Sequence, residues 1–358
     1  MSFSTSSSDV SRRYVLGLAV LVSVPALCLF ALGIHLQPLY GDLTRLGGYA
    51  EREFGPNKPQ QEFAAPLYAS GPYSAYKDVL VLGDSFSRAW PAHQWQNYVA
   101  AATGWSIQTV DLDTVPLRKI LDSAAYRAAP PKLFVYESVE RFLPPRIDDG
   151  TPCSPSTMPR PYQSYGAIPT ASASAAAPLQ ARQQDWRDVK LGFSAKYLSS
   201  GLLRKLTGGE PTQVQQVALN RPGLFSSLDS QTLLVYKEDI STAADWQRAS
   251  LPDMACRVER MRQLVEADGR TRFVMMVAPN KLSAYGSFIG DRKLASLSQL
   301  EALSGQHAGV MVRADLALVS AIRAGEQDVY LPDDTHWSAR GNQIAAETML
   351  DFLRGTSK

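Results

Sequence analysis

The stretch Asp78-Val79-Leu80-Val81-Leu82-Gly83 decides the fold, because this short apolar run is followed directly by Asp84-Ser85-Phe86-Ser87. Such a run is typical of a strand buried on both faces of a parallel sheet. Gly83 permits a tight turn where the strand ends. We therefore predict that Ser85 stands at the start of the next helix, at the carboxyl edge of the sheet, where open α/β sheets bind ligands.

The alternation of strands and helices continues along the chain. Further strands are predicted over Ser106 to Leu112, Lys132 to Glu137, Arg272 to Ala278, Gly309 to Val312 and Val329 to Leu331. Helices are predicted over Arg88 to Ala102, Val115 to Arg127, Met254 to Ala267 and Ala339 to Leu353. This order favours an α/β fold with a central parallel sheet covered on both faces.

Residues 145–250 interrupt this alternation, and we interpret them as an insertion beside the site. Within them, Ala167 to Pro178 is a low-complexity stretch expected in a surface loop. Trp186 to Leu206 is a candidate helix and Leu233 to Ile240 a candidate extra strand.

The N-terminal region contains an apolar segment, Tyr14 to Leu36, without Asp, Glu, Lys or Arg. As a helix these 23 residues would extend about 35 Å, enough to cross a bilayer. Arg12 and Arg13 precede it and favour a cytoplasmic tail over residues 1–13. A retained single-pass anchor in the inner membrane with a periplasmic domain is therefore expected. A cleaved signal peptide or a twin-arginine signal remain alternatives that also lead to export.

After the apolar segment, the proline-containing residues 37–76 are expected to form a stem, and residues 77–356 the catalytic domain. The net charge of +2 provides no basic surface for nucleic acid. Four histidines and three cysteines, without metal-binding spacings, lead us to expect neither metal nor cofactor. Cys153 and Cys256 form either one disulfide or two buried thiols.

A serine nucleophile needs a base and a group that orients the base. His336 lies in Leu331-Pro332-Asp333-Asp334-Thr335-His336-Trp337-Ser338, between a predicted strand and the last helix, and Asp334 is close enough to take its Nδ1 proton. The other three histidines are expected elsewhere. His35 is expected at the membrane edge, His93 farther along the helix that follows Ser85, and His307 in a polar loop. The alternative is that both segments only cap helices.

Two segments resemble a known family. Gly83-Asp84-Ser85-Phe86 resembles the first block of the SGNH (GDSL-like) hydrolases. Asp334-Thr335-His336-Trp337 resembles their last block in the Asp-x-His-Trp form of the alginate O-acetylation proteins. More weakly similar are Tyr136 to Arg141, and Ala278 to Lys281 with Tyr285. The resemblance implies a three-layer αβα sandwich in which Ser85 is the nucleophile, His336 the base and Asp334 its orienting group.

The sequence also departs from the family pattern. The glycine and asparagine that serve this family as extra oxyanion donors have no clear match in the sequence. The candidate oxyanion or substrate-binding residues are instead Arg141, Lys281, Tyr285 and Trp337. Trp337, Tyr285 and Trp90 are candidates for stacking on sugars, although core packing is the expected role of Trp90. The serine precedes the histidine, whereas the reverse order is expected in the alginate proteins, which favours another polymer such as cellulose.

The resemblance implies an O-acetyltransferase that acts on an exopolysaccharide of the alginate or cellulose class. Its partners would be the polysaccharide, a multipass membrane O-acyltransferase that supplies acetyl groups, and other secretion proteins. An exopolysaccharide acetyl esterase and a non-catalytic polysaccharide-binding scaffold remain the alternatives.

Overall fold

The computed structural model describes residues 6–355 apart from positions 38, 149, 152, 154–167, 170–176, 179–187, 296–297 and 308. Its strands are β1 Gln61–Glu62, β2 Ala69–Ser70, β3 Val79–Gly83, β4 Ile107–Asp111, β5 Leu133–Val139, β6 Ala177–Pro178, β7 Val214–Ala218, β8 Thr232–Tyr236, β9 Arg272–Ala278 and β10 Met311–Val312. Six of them form one parallel sheet in the order β10-β9-β5-β3-β4-β2. The predicted central parallel sheet is therefore confirmed.

Helices surround this sheet. They are α1 Ser6–Leu36, α2 Asp42–Gly47, α3 Glu51–Phe54, α4 Trp95–Thr103, α5 Leu117–Leu121, α6 Ala124–Ala128, α7 Leu143–Ile147, α8 Leu191–Thr207, α9 Lys237–Ser241, α10 Ala243–Arg248, α11 Leu251–Val265, α12 Lys281–Ala284, α13 Arg292–Ala295, α14 Leu300–Gln306, α15 Ala314–Ala324 and α16 Ala339–Arg354.

Alternate residues of the central strand β3 enter two separate cores. Val79 and Val81 pack with residues of α4, α15 and α16, whereas Leu80 and Leu82 pack with residues of α5, α6, α11 and α14. All four side chains are buried, and each such burial contributes about 1.5–3 kcal/mol. The sheet is thus covered on both faces, which confirms the three-layer arrangement.

The last helix follows its predicted bounds because the sequence supplies both ends. The Ser338 hydroxyl accepts hydrogen bonds from the N–H groups of Arg340 at 3.0 Å and Gly341 at 3.3 Å. At the other end Gly355 adopts a left-handed conformation with φ of +73°, which favours glycine.

The helix expected over Arg88 to Ala102 was wrong in its first half. Trp90 has a left-handed backbone with φ of +56°, and residues Pro91–His93 form a short 3₁₀ turn, so that α4 begins only at Trp95. This break places Trp90 and His93 in a loop near the end of β3.

Other boundaries also differ from the sequence predictions. Val115 to Arg127 divides into α5 and α6, where Ser123 caps the second helix by accepting the N–H of Tyr126. Val329 to Leu331 does not join the sheet; one antiparallel bridge pairs Tyr330 with Trp337. The strand expected over Leu233 to Ile240 is β8, and α9 follows it directly.

The expected stem packs against the domain instead of separating it from the apolar helix. Leu43, Tyr49 and Phe54 form a small core with Val214 and Leu234 of the β7–β8 hairpin. Strand β2 from the same segment is the edge strand of the central sheet. Residues of the stem are therefore part of the folded unit.

The expected insertion contributes α8 and the β7–β8 hairpin beside the sheet. The candidate helix over Trp186 to Leu206 is α8, which begins later, at Leu191. Most of the predicted loop from Ala167 to Pro178 lies outside the described residues, and its last two residues form β6, which pairs with β1.

Helix α1 contains the apolar segment. Its part from Asp9 to Leu36 is long enough to cross a membrane, and the most apolar 18 residues within it have a mean hydropathy of 2.6. A single such helix near the N-terminus fits both an anchor and a signal sequence. Its last turns pack on α8, since a Cβ at Gly33 would lie 2.9 Å from the Ser194 hydroxyl.

Cys153 and Cys256 are joined in a disulfide with their Cα atoms 6.0 Å apart, 103 residues apart in sequence. Because the bond closes a long loop, we expect Cys153→Ser with Cys256→Ser to lower the free energy of unfolding by about 2–4 kcal/mol. Urea unfolding of both proteins with and without a thiol reductant measures this. The reductant should shift only the midpoint of the unsubstituted chain; equal midpoints under all conditions would contradict the expectation.

Candidate active site

Ser85 opens a 3₁₀ turn, Ser85–Ser87, instead of the predicted α-helix. Asp84 caps the turn: its carboxylate accepts the N–H of Phe86 at 3.0 Å and the N–H of Val139 on β5 at 2.7 Å. The same carboxylate is ion-paired with Arg146. Capping is thus the role of Asp84, and Ser85 is partly exposed at the carboxyl edge of the sheet.

Close contacts under the turn explain why glycine ends β3. A Cβ at Gly83 would lie 2.6 Å from the Ser87 hydroxyl and 2.9 Å from the Glu137 carboxylate. The Ser87 hydroxyl donates to Glu137 at 2.7 Å and accepts the indole N–H of Trp95 at 3.1 Å. Burial raises the pKa of Glu137 well above its ordinary value. Of the two serines in this turn, Ser87 is therefore structural.

The histidine loop forms a buried pair. Nδ1 of His336 lies 2.6 Å from Oδ1 of Asp334, and this oxygen also accepts the backbone N–H of His336 at 3.0 Å. The other carboxylate oxygen accepts the backbone N–H of Asp42 at 2.9 Å. Burial alone would raise the pKa of Asp334, but His336 and these N–H donors hold it well below its usual range.

The contact with Asp42 comes from the expected stem and was not predicted. The first N–H groups of α2, on Leu43 and Thr44, donate to the Asp333 carbonyl at 3.0 and 3.3 Å. A Cβ at Gly41 would lie only 2.0 Å from that carbonyl oxygen. The N-terminus of α2 is therefore fitted directly onto the histidine loop.

Lys281 fixes the same loop from the other side. Its fully buried ammonium donates to the carbonyls of Leu331, Pro332 and Asp334 at 2.7, 2.8 and 3.0 Å. These three acceptors match the three N–H donors of a lysine. Burial lowers the pKa of Lys281, while the nearby carboxylates Asp333 and Asp334 oppose this.

The serine segment and the histidine loop meet through aromatic contacts. The Phe86 ring lies 4.9 Å from the His336 ring and 5.1 Å from the Trp337 ring, between centroids. Nε2 of His336 is buried and has no hydrogen-bond partner among the described residues. Nε2, the nitrogen that would take a proton, thus accepts no hydrogen bond from the described residues. The His336 ring lies beside Phe86, the residue that follows Ser85.

The four candidate oxyanion or substrate-binding residues are all buried: Arg141, Lys281, Tyr285 and Trp337. Arg141 bonds the Asp239 carboxylate at 3.3 Å, and the Tyr285 hydroxyl accepts the Tyr330 N–H. The structure therefore places them in the framework of the site, and the expectation that Trp337 and Tyr285 are exposed for sugar stacking was wrong.

Two residues near the site were misjudged from the sequence. Trp90, expected in the core, is 38% exposed. His93, expected to point away along a helix, is buried, and burial together with the charge of His336 lowers its pKa to about 4. The broken helix explains both errors, and the Trp90-Pro91 pair is the sequence signal that could have revealed it.

One group of possible metal ligands occurs among the described residues: Asp42, Asp334 and His336 offer atoms within 4.8 Å of one another. Nδ1 of His336 already bonds Asp334, and the Asp42 carboxylate pairs with Arg45. These atoms are better suited to proton transfer than to metal binding.

Part of the chain matches a known protein family. Residues 233–358 match the family model described as SGNH hydrolase-like domain, acetyltransferase AlgX. This match includes Asp334 and His336 and does not reach Ser85. The match covers about a third of the chain and, like the fold, supports the resemblance to SGNH hydrolases drawn from the motifs.

Among curated proteins, the chain is similar to the probable alginate O-acetylase AlgJ of Pseudomonas syringae pv. tomato. The two are 29% identical over 133 residues, which cover 36% of this chain and 33% of that protein. The chain thus spans about a third of the length of this relative. No solved structure matches the chain. The protein is accordingly similar to proteins of alginate-type polysaccharide acetylation.

We expect Gly41→Ala to lower the free energy of unfolding by about 1–3 kcal/mol, because the added methyl group would overlap the backbone of Asp333. Thermal and urea unfolding measure the change. Gly201→Ala in α8 is the matched control, since nothing lies within 4 Å of its added Cβ, and it should leave stability equal or slightly higher. Equal stability of the two variants would contradict the proposed fit of α2.

We expect Asp334→Asn to destabilise the protein at pH 7 by about 1–3 kcal/mol, because an amide keeps only one of the two buried oxygens that accept hydrogen bonds from His336 and Asp42. Because the folded-state pKa of Asp334 is lowered, its stabilisation is present above about pH 4 and is lost as the pH falls through the folded value. Urea unfolding between pH 2 and 8 should show a constant difference above about pH 4 that narrows below it.

The matched control is Asp122→Asn, which removes an exposed pair with Arg127. It should change stability by less than about 0.5 kcal/mol at every pH. A pH-independent loss for Asp334→Asn would show that its charge is not what stabilises the loop.

Proposed function

We propose that the protein transfers acetyl groups to an exopolysaccharide of the alginate or cellulose class, with Ser85 as nucleophile, His336 as base and Asp334 as its orienting group. The observation that carries the proposal is the buried Asp334–His336 pair with a free Nε2, in contact with the residue next to Ser85. The similarity to an alginate O-acetylase supports the substrate class.

In the first step, Oγ of Ser85 attacks the carbonyl carbon of an acetyl donor while His336 Nε2 takes the serine proton. The Ser85 N–H at the carboxyl edge of the sheet is the proposed donor to the oxyanion. The donor C–O bond then breaks, and His336 returns the proton to the departing oxygen. In the second step a sugar hydroxyl attacks acetyl-Ser85, gives its proton to His336, and the proton finally returns to Ser85.

Asp334 serves both steps by holding Nδ1 of His336, so that Nε2 is the nitrogen that accepts protons. Its charge also stabilises the protonated ring that forms in each step. The backbone N–H of Asp42 and the ammonium of Lys281 keep this loop in place. Helix α1 supports membrane anchoring or export, and a multipass membrane O-acyltransferase is the proposed source of acetyl groups on the far side.

An esterase that removes acetyl groups would use the same three residues. Water would then replace the sugar hydroxyl in the second step, with the same proton transfers. An acetyl ester supplied with and without oligosaccharides of alginate or cellulose separates the two: a transferase yields acetylated oligosaccharide, and an esterase yields only acetate.

We expect Ser85→Ala to lose labelling by a fluorophosphonate probe and to reduce acetyl transfer at least about 1,000-fold. Full-length protein analysed by mass spectrometry and by acetyl transfer to oligosaccharides gives both measurements. Ser199→Ala, on the exposed surface of α8, is the matched control and should be labelled as the unsubstituted chain is. An unlabelled wild-type chain that still binds polysaccharide would favour a scaffold instead of an enzyme.

A further inference from the structure

Trp90 is held in a strained and exposed position. Its φ of +56° and ψ of +61° lie in the left-handed region, which a bulky side chain rarely adopts. The backbone therefore holds a large aromatic surface toward solvent, 38% exposed, at the cost of local strain. Such strain persists where the surroundings impose it, and it is concentrated at ligand-binding sites.

Hydrogen bonds fix this residue beside the serine turn. The Ala89 N–H donates to the Ser85 carbonyl at 2.8 Å, so Trp90 begins where that turn ends. The Gln94 side chain bonds the Ala89 carbonyl, and the Asn97 side chain donates to the Pro91 carbonyl at 2.7 Å. Both sides of Trp90 are thus anchored.

His93 lies under Trp90 with its polar atoms unsatisfied. The two rings are nearly parallel, 24° apart, with centroids 6.3 Å apart. His93 is only 3% exposed, and neither ring nitrogen has a hydrogen-bond partner among the described residues. Both nitrogens are shielded from solvent, so His93 packs under the indole and does not itself reach a ligand.

We propose that Trp90 forms the subsite for the acceptor sugar, in which the exposed indole face stacks on a pyranose ring while the buried His93 ring lies under the indole. Indole rings bind apolar surface and keep one polar edge, a combination that suits the C–H face of a sugar. The inference rests on the proposed function only for the class of ligand, a polysaccharide.

Binding without an acetyl donor tests the subsite independently of catalysis. Isothermal titration calorimetry of the full-length chain with mannuronate and cellulose oligosaccharides should give a dissociation constant that Trp90→Gly raises at least about tenfold. Trp90→Phe should raise it less. Glycine suits a positive φ, so Trp90→Gly should be no less stable than Trp90→Ala, which separates lost stacking from lost folding.

His93→Phe keeps a ring under Trp90 and removes both buried nitrogens, so it should leave the dissociation constant unchanged. Tyr76→Ala is the matched control, because Tyr76 is an exposed aromatic residue bonded to Asp78 and should leave the dissociation constant unchanged.

Unchanged binding in Trp90→Gly, or no oligosaccharide binding by the wild-type chain, overturns the subsite. Weaker binding in Trp90→Gly, together with fluorophosphonate labelling of Ser85, supports both the subsite and the catalytic proposal. Weaker binding in a chain whose Ser85 is never labelled supports the subsite and removes the catalytic proposal.

Discussion

The charge on Asp334 is the constraint on which the site depends, because an ionised carboxylate is stable inside a protein only when donors surround it. Its partners come from two distant parts of the chain: His336 from the same loop, and the N–H of Asp42 from the N-terminal segment. The Lys281 ammonium adds three bonds to the carbonyls of the loop. Orientation of the histidine is thus a property of the whole domain.

A second buried carboxyl organises the serine side. Glu137, at the end of β5, accepts the Ser87 hydroxyl and the Asp84 N–H and is favoured in its neutral form by burial. Asp84, one strand away, keeps its ion pair with Arg146. Of the two carboxyl groups under the turn, Asp84 is thus compensated by a cation and Glu137 by hydrogen bonds. This arrangement avoids two unpaired charges under the turn.

Much of the fold could be predicted because buried parallel strands are continuous apolar runs, as Val79–Gly83 and Arg272–Ala278 are. The candidate residues Ser85 and His336 could be singled out because each follows or precedes a predicted element at the sheet edge. The bounds of the last helix could be predicted because Ser338 and Gly355 cap its two ends. In these cases local sequence and tertiary structure favour the same conformation.

The remaining features depend on tertiary contacts that no local pattern encodes. Asp42 and Asp334 are 292 positions apart, and a proline-containing segment gave no sign that α2 would dock there. Tyr285 and Trp337 are as suited to a core as to a sugar site, and only packing decides. The left-handed backbone at Trp90 breaks the predicted helix, so His93 lies in a loop and not farther along that helix.

Docking of α2 also limits how far the site can lie from the end of α1. Leu36 ends α1, and Asp42 is six positions later. A chain of that length reaches at most about 20 Å. In a bilayer that holds α1, the Asp334–His336 pair would therefore lie close to the lipid headgroups, and the proposed polymer substrate would approach it along the membrane surface.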